Sequence, residues 1–245
     1  MTAGYVAIDR DSTAYPRGLA LEGGFARLYA VGNIQLLGSP SVGICGSRHA
    51  TDAALAHAYE FGFMAARRGF VVVSGYARGV DREAHRGALE AGGGTIAVLA
   101  EGIEQFSLAP GLRACGDFDS NLLVLSAFEP DAVWKPWRAM ERNKLIIGLS
   151  CGLFVIEARA RGGTLHAGQE CIRQRKPLWV IEYERIGPPR EGNRRLLEAS
   201  AVGVRDEQDL HRILDEAWRH CPRERGRQLS LPVGERQLDH HAPER

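Results

Sequence analysis

The chain of 245 residues has almost no net charge, +1 at neutral pH, which excludes a polycation that would hold nucleic acid by bulk charge alone. Any binding of a polyanion must come from local clustering. No apolar run approaches the roughly 18 residues that span a bilayer, and residues 1–11 lack the basic-then-apolar pattern of a secretory leader. The expectation is a cytoplasmic protein with no membrane contact. Its five cysteines, Cys45, Cys115, Cys151, Cys171 and Cys221, are widely spaced and contain no CxxC pair. They read as reduced thiols, offering neither a disulfide framework nor a zinc knuckle.

Catalytic signatures are missing as well. There is no GxxxxGKS/T loop for a P-loop nucleotidase, no HExxH, and no Ser/His/Asp set. The run Gly92-Gly93-Gly94 precedes a strand candidate instead of following one, the wrong context for a dinucleotide fingerprint. Asp239-His240-His241 lies near the C-terminus and makes a poor metal site. No catalytic residue, metal or cofactor is therefore assigned.

What is present is an ordinary globular composition, 44% hydrophobic and 25% charged, enough for one sizeable core. Short apolar segments recur at Val42 to Cys45, Phe70 to Ser74, Thr95 to Leu99, Leu122 to Ser126, Gly152 to Glu157 and Leu178 to Ile181. Segments with helical spacing separate them at Ala53 to Arg68, Arg82 to Ala91, Trp134 to Leu149 and Leu165 to Gln174, with Asp52 and Asp81 as expected N-caps. This alternation predicts an α/β fold: a doubly wound, largely parallel sheet with helices on both faces. Residues 1–40 read as an extended lead-in packed on the core, with one strand at Leu28 to Val31. Residues 41–219 read as the core, closing with a helix from Glu207 to Trp218, and 220–245 as a disordered tail.

Each glycine-rich turn falls at the carboxyl end of a strand candidate, where open parallel sheets bind ligands. Gly46-Ser47-Arg48 follows the first core strand, Ser74-Gly75-Tyr76-Ala77-Arg78-Gly79 the second, and Arg159-Ala160-Arg161-Gly162-Gly163-Thr164 the strand ending at Glu157. Glycines let backbone N–H groups approach a phosphate, and arginines chelate its oxygens, so the turns together favour an anionic ligand. Any one of them alone is as readily a plain tight turn. Glu157 reads as a carboxylate buried against an arginine, and His85 as a packing residue. A second group, Trp134, Lys135, Trp137, Arg138, Arg142, Asn143 and Lys144, interleaves cations with aromatics as single-stranded nucleic acid requires. The competing account is an amphipathic helix with inward tryptophans and solvated charges.

The ordered series Gly46-Ser47-Arg48, Ser74 to Asp81, Gly92 to Leu99, Leu125-Ser126 with Phe128 and Pro130, Arg142 to Ser150 and Gly192 to Leu197 resembles the DNA-processing protein A family, also called DprA or Smf. The resemblance implies a Rossmann-like core that binds and protects single-stranded DNA and helps load the RecA recombinase during natural transformation or related recombination. It also implies a homodimer and no well-defined enzymatic step. By position it makes Arg48, Ser74, Gly75, Arg78, Gly79, Arg142, Asn143 and Gly163 pocket residues. The turns add Gly46, Ser47, Gly162 and Thr164, and the basic helix adds Lys144. The chain departs from the family at Ala100-Glu101-Gly102, between Phe106 and Gly111, and at Ala167. The alternative is a nucleotide sensor or phosphoribohydrolase of the lysine-decarboxylase-like group, on the partial match of Gly162-Gly163-Thr164 followed by Glu170.

Overall fold

The computed structural model describes residues 4–21, 24–113, 115–185 and 187–221. In chain order the strands and helices are β1 (Val6–Asp9), α1 (Arg17–Leu21), β2 (Arg27–Gly32), β3 (Ser41–Cys45), α2 (Asp52–Arg67), β4 (Val71–Ser74), α3 (Val80–Glu90) and β5 (Thr95–Val98). There follow α4 (Phe118–Asn121), β6 (Leu122–Ser126), α5 (Pro136–Leu149), β7 (Leu153–Val155), α6 (Gly163–Arg173), β8 (Leu178–Ile181), α7 (Glu191–Glu198), β9 (Val202–Val204) and α8 (Glu207–His220). All nine strands form one sheet in the order β1-β2-β6-β5-β4-β3-β7-β8-β9. Only β2 runs against its neighbours; every pair from β6 to β9 is parallel.

Such strands are buried on both faces because helices cover each side, so their residues alternate between two cores. Val71 and Val73 of β4, Leu153 and Val155 of β7, and Leu178 and Val180 of β8 join Leu145, Leu165 and Leu196 of α5, α6 and α7. The residues between them, Val72, Phe154, Trp179 and Ile181, pack with Ala58, Ala84 and Leu210 of α2, α3 and α8. This is the expected doubly wound α/β arrangement. From β3 the chain advances through β4 and β5 to β6 on one side, then returns to place β7 on the other side of β3. The strand order therefore switches between β3 and β7.

Three details differ from the sequence reading. Thr51, not Asp52, caps α2, its Oγ1 accepting from the Ala54 N–H at 3.3 Å. Gly79 with φ +91° precedes α3, placing Asp81 inside the first turn. Cys151 and Cys221 form a disulfide, with Cα atoms 5.4 Å apart, while Cys45, Cys115 and Cys171 are free. Topology brings the entry to β7 beside the end of α8, a proximity that linear spacing does not show. Residues 222–245, most of the expected tail, lie outside the described residues. No helix among those described is long and apolar enough to cross a membrane.

Candidate functional site

At the switch point the carboxyl ends of β3 and β7 diverge and leave a cleft of about 390 Å³. This is the place an open parallel sheet reserves for a ligand. One wall is the turn after β3, another the turn between β7 and α6, and the third the start of α5 with Trp134 before it. The cleft is layered electrostatically, with a paired and buried floor below a rim of exposed cations.

Arg142, on α5, forms the floor and is only 5% exposed. Its Nη1 donates to the Val98 carbonyl at 3.1 Å and lies 3.9 Å from the Asp81 carboxylate. Burial pulls the Arg142 pKa below the ordinary arginine value and pushes that of Asp81 above the ordinary carboxylate value, each opposed by the other's charge. Gly75 makes this packing possible, because a Cβ there would lie 1.3 Å from Arg142 Nη1. A Cβ on Gly79 would meet the Ser47 carbonyl at 2.4 Å, so the turns after β3 and β4 touch backbone to backbone. The Ser74 hydroxyl donates to the Ile44 carbonyl at 2.6 Å and clips β4 to β3.

The rim holds Arg48, Arg159 and Arg161, all exposed, together with the N-terminus of α6. Among the described residues none of the three guanidiniums has an ion pair. Gly162, with φ +130°, turns the chain into α6, and a Cβ on Gly162 or Gly163 would meet nothing within 4 Å. The helix start lines the cleft and has no side-chain cap, so its first N–H groups and the cations beside them make a composition suited to a phosphate oxyanion. Asn143 donates from Nδ2 to the Gly163 carbonyl at 3.3 Å and fixes this helix start against α5.

The cleft thus gathers Gly46, Ser47, Arg48, Arg142, Asn143, Gly162, Gly163 and Thr164. Ser74, Gly75 and Gly79 lie behind it as supports. Arg78 is exposed outside the lining, and Lys144 points away, its Nζ 2.9 Å from Glu141. Glu157 is fully buried and accepts from Thr51 Oγ1 at 2.7 Å, with Arg190 Nε 4.0 Å away, so it anchors α2 as a structural carboxylate. Glu170 hydrogen-bonds Arg173 and Gln174 on its own side of α6 and does not line the cleft; these partners hold its carboxyl down at about 2. Sequence reasoning missed Tyr76, a non-glycine residue at φ +59° whose hydroxyl accepts from the Ala109 N–H at 2.6 Å and ties the loop after β5 to the β4 turn. It also missed that Asn193 joins β7 to β8, accepting from Ala158 N and donating to the Ile156 and Ile181 carbonyls at 2.7, 2.9 and 3.0 Å. The signals in sequence were the motif Gly192 to Leu197 and, within it, a polar Asn193 beside Gly192 ahead of an apolar pair.

Comparison with known proteins places the chain by sequence and by fold. The DNA processing protein DprA of Bacillus subtilis is 27% identical over 192 residues, 78% of this chain and 65% of its own length. The Streptococcus pneumoniae protein of the same name is 31% identical over 183 residues, covering 75% of this chain and 64% of its own. This chain thus spans just under two thirds of either relative. The crystal structure of the pneumococcal protein superposes with a TM-score of 0.77 at 27% identity, covering 85% of this chain and 74% of that one. DNA processing protein A of Helicobacter pylori, described for its single-stranded DNA binding mode, gives 0.74 at 25% identity, covering 89% and 97%. Residues 7–215 match the model of the DNA recombination-mediator protein A family, and the chain belongs to that family.

Proposed function

We propose that this protein is a cytoplasmic, homodimeric mediator that binds and protects single-stranded DNA and helps load the RecA recombinase in natural transformation or related recombination, without a catalytic step of its own. The observation that carries the reading is the rim of the cleft: three exposed arginines without an ion pair among the described residues, Arg48, Arg159 and Arg161, beside the uncapped N-terminus of α6. This arrangement fits phosphates entering from solvent. The charge-paired floor below it does not call for a second anion. The single-stranded DNA binding described for the Helicobacter relative supports the ligand.

Titration of the full chain with a labelled oligonucleotide across a salt series tests this. Arg48→Ala, Arg159→Ala and Arg161→Ala are each expected to weaken binding to any sequence and to flatten the log–log salt dependence by roughly 0.7 per lost phosphate contact. Affinity and slope unchanged in the triple variant, with the fold intact, rule the cleft out as the DNA site.

A further inference from the structure

Large apolar side chains are exposed at only five described positions, and four of them, Val133, Trp134, Trp137 and Met140, fall within the eight residues 133–140 that lead into and begin α5. Trp134 and Trp137 are 45% and 53% exposed. Leaving two indoles in water is costly, and such clustering beside a cleft marks a contact surface. Trp134 and Met140 line the cleft itself, whereas Trp137 lies beyond it, so the surface continues outward from the rim.

Cations fix the aromatic faces. The Arg48 guanidinium stacks 5.1 Å over the Trp134 ring. Arg138 lies 5.4 Å from the ring centre of Phe128 and 5.2 Å from that of Trp137, while its Nη1 donates to the Val133 carbonyl. Phe128 meets Trp137 edge to face at 5.9 Å. Among the described residues neither indole N–H of Trp134 and Trp137 has a hydrogen-bond partner. The rings are therefore held in place by neighbours and still open to a ligand. A planar, weakly polar ligand carrying negative charge alongside satisfies both the rings and the arginines.

We infer that Trp134 and Trp137 form a stacking platform for unpaired nucleobases, extending the phosphate rim by a base-binding segment that a duplex cannot use. This rests on the DNA reading above, and on continuity with the cleft in preference to a protein occupant. A duplex keeps its base faces stacked on one another and offers the platform only edges and phosphates.

The test compares an oligothymidylate with an abasic strand of the same length and backbone charge, using wild type, Trp134→Ala/Trp137→Ala and the corresponding double tyrosine variant. The double alanine variant is expected to lose roughly five- to a hundredfold in affinity per stacked base on the oligothymidylate. Its loss on the abasic strand is expected to be several-fold smaller than on the oligothymidylate, and the tyrosine variant recovers most of the base-dependent loss. Quenching of tryptophan fluorescence by the base-bearing strand, and not by the abasic one, reports the stacking in the unmodified protein. Equal affinity of wild type and double alanine variant overturns the inference, as does an equal loss on both strands. A variant that changes only self-association, measured by sedimentation, assigns the patch to a second copy and also overturns it. If wild type binds neither strand, the DNA reading itself falls; if it binds both and the variants match it, only the platform does.

Discussion

His85 shows how one buried atom sets a pH response. Its Nδ1 lies 2.7 Å from Thr95 Oγ1, whose single hydroxyl proton goes to the Val72 carbonyl at 2.7 Å. The imidazole must therefore donate from Nδ1, leaving Nε2 as a buried acceptor without a partner among the described residues. Protonation would bury a charge on that nitrogen with Arg142 and Arg82 nearby, and burial first, then these cations, lowers the pKa to about 3 from 6.5. Between those values the unfolded chain holds a proton that the folded chain refuses, so stability is full above pH 6.5 and drains as pH falls toward 3. Denaturant midpoints at pH 7 and pH 5 should differ by about 2 kcal/mol of stability from this residue. His85→Asn is expected to remove that difference, and an unchanged slope in the variant would show that another group carries it. Glu170, held at about 2, loses its contribution as pH falls below its ordinary value of 4.5, which lies under the interval from pH 7 to pH 5.

Arg142 belongs to the same scale and reverses a sequence-based expectation. In the linear pattern it reads as one of a row of cations on the basic-aromatic helix and, by resemblance, as a pocket residue. In three dimensions it is buried against Asp81, and Arg142→Ala would remove the nearest countercharge of that buried carboxylate, leaving it neutral donors such as the Ala77 N–H at 3.3 Å. The expected cost is about 3–5 kcal/mol, visible as a large fall in melting temperature before any DNA is added. Asp81→Asn in the same background should restore part of it, because the stranded charge is then gone. Stability unaffected by Arg142→Ala would refute the buried pair.

At the scale of elements, the half of the sheet beyond the switch point is closed covalently as well as by packing. The Cys151–Cys221 bond encloses 70 residues of sequence separation, taking in β7, α6, β8, α7, β9 and α8. By the loop-closure model, a link of this length stabilises by about 4 kcal/mol. Alkylation of the unfolded protein before reduction should leave Cys151 and Cys221 unmodified and label the other three cysteines. Reduction should lower the unfolding temperature of wild type but not that of Cys151→Ser, whereas equal shifts in both would place the effect elsewhere. Within the same half, Asn193 satisfies three backbone groups between β7 and β8, so Asn193→Ala should destabilise through three orphaned partners at once.

For the molecule as a whole, the central strands were legible because both their faces are buried. Val71 to Val73 is an uninterrupted apolar run bounded by Gly69 and by Ser74-Gly75, too short for a helix between those glycines, so it reads as a doubly buried strand. The edge strands were not legible for the opposite reason. β1 has four residues and β9 three, each partly exposed, so neither carries alternation long enough to read. The rim of the cleft was readable because glycine at positive φ and free arginine announce themselves in sequence, as at Arg161 and Gly162. Its floor was not, since whether Arg142 is solvated or buried depends on a residue in a different turn, brought near only by the sheet order.

That last contact has a consequence for descent. The Arg142 guanidinium occupies the volume that a side chain at position 75 would need, leaving no room for even a methyl group. A lineage cannot gain a larger residue at 75 while it keeps arginine at 142, and losing the arginine first strands Asp81. The three positions should therefore be inherited as a unit. Among related sequences, any that carries a side chain at the site of Gly75 is expected to have replaced Arg142, and with it the charge of Asp81.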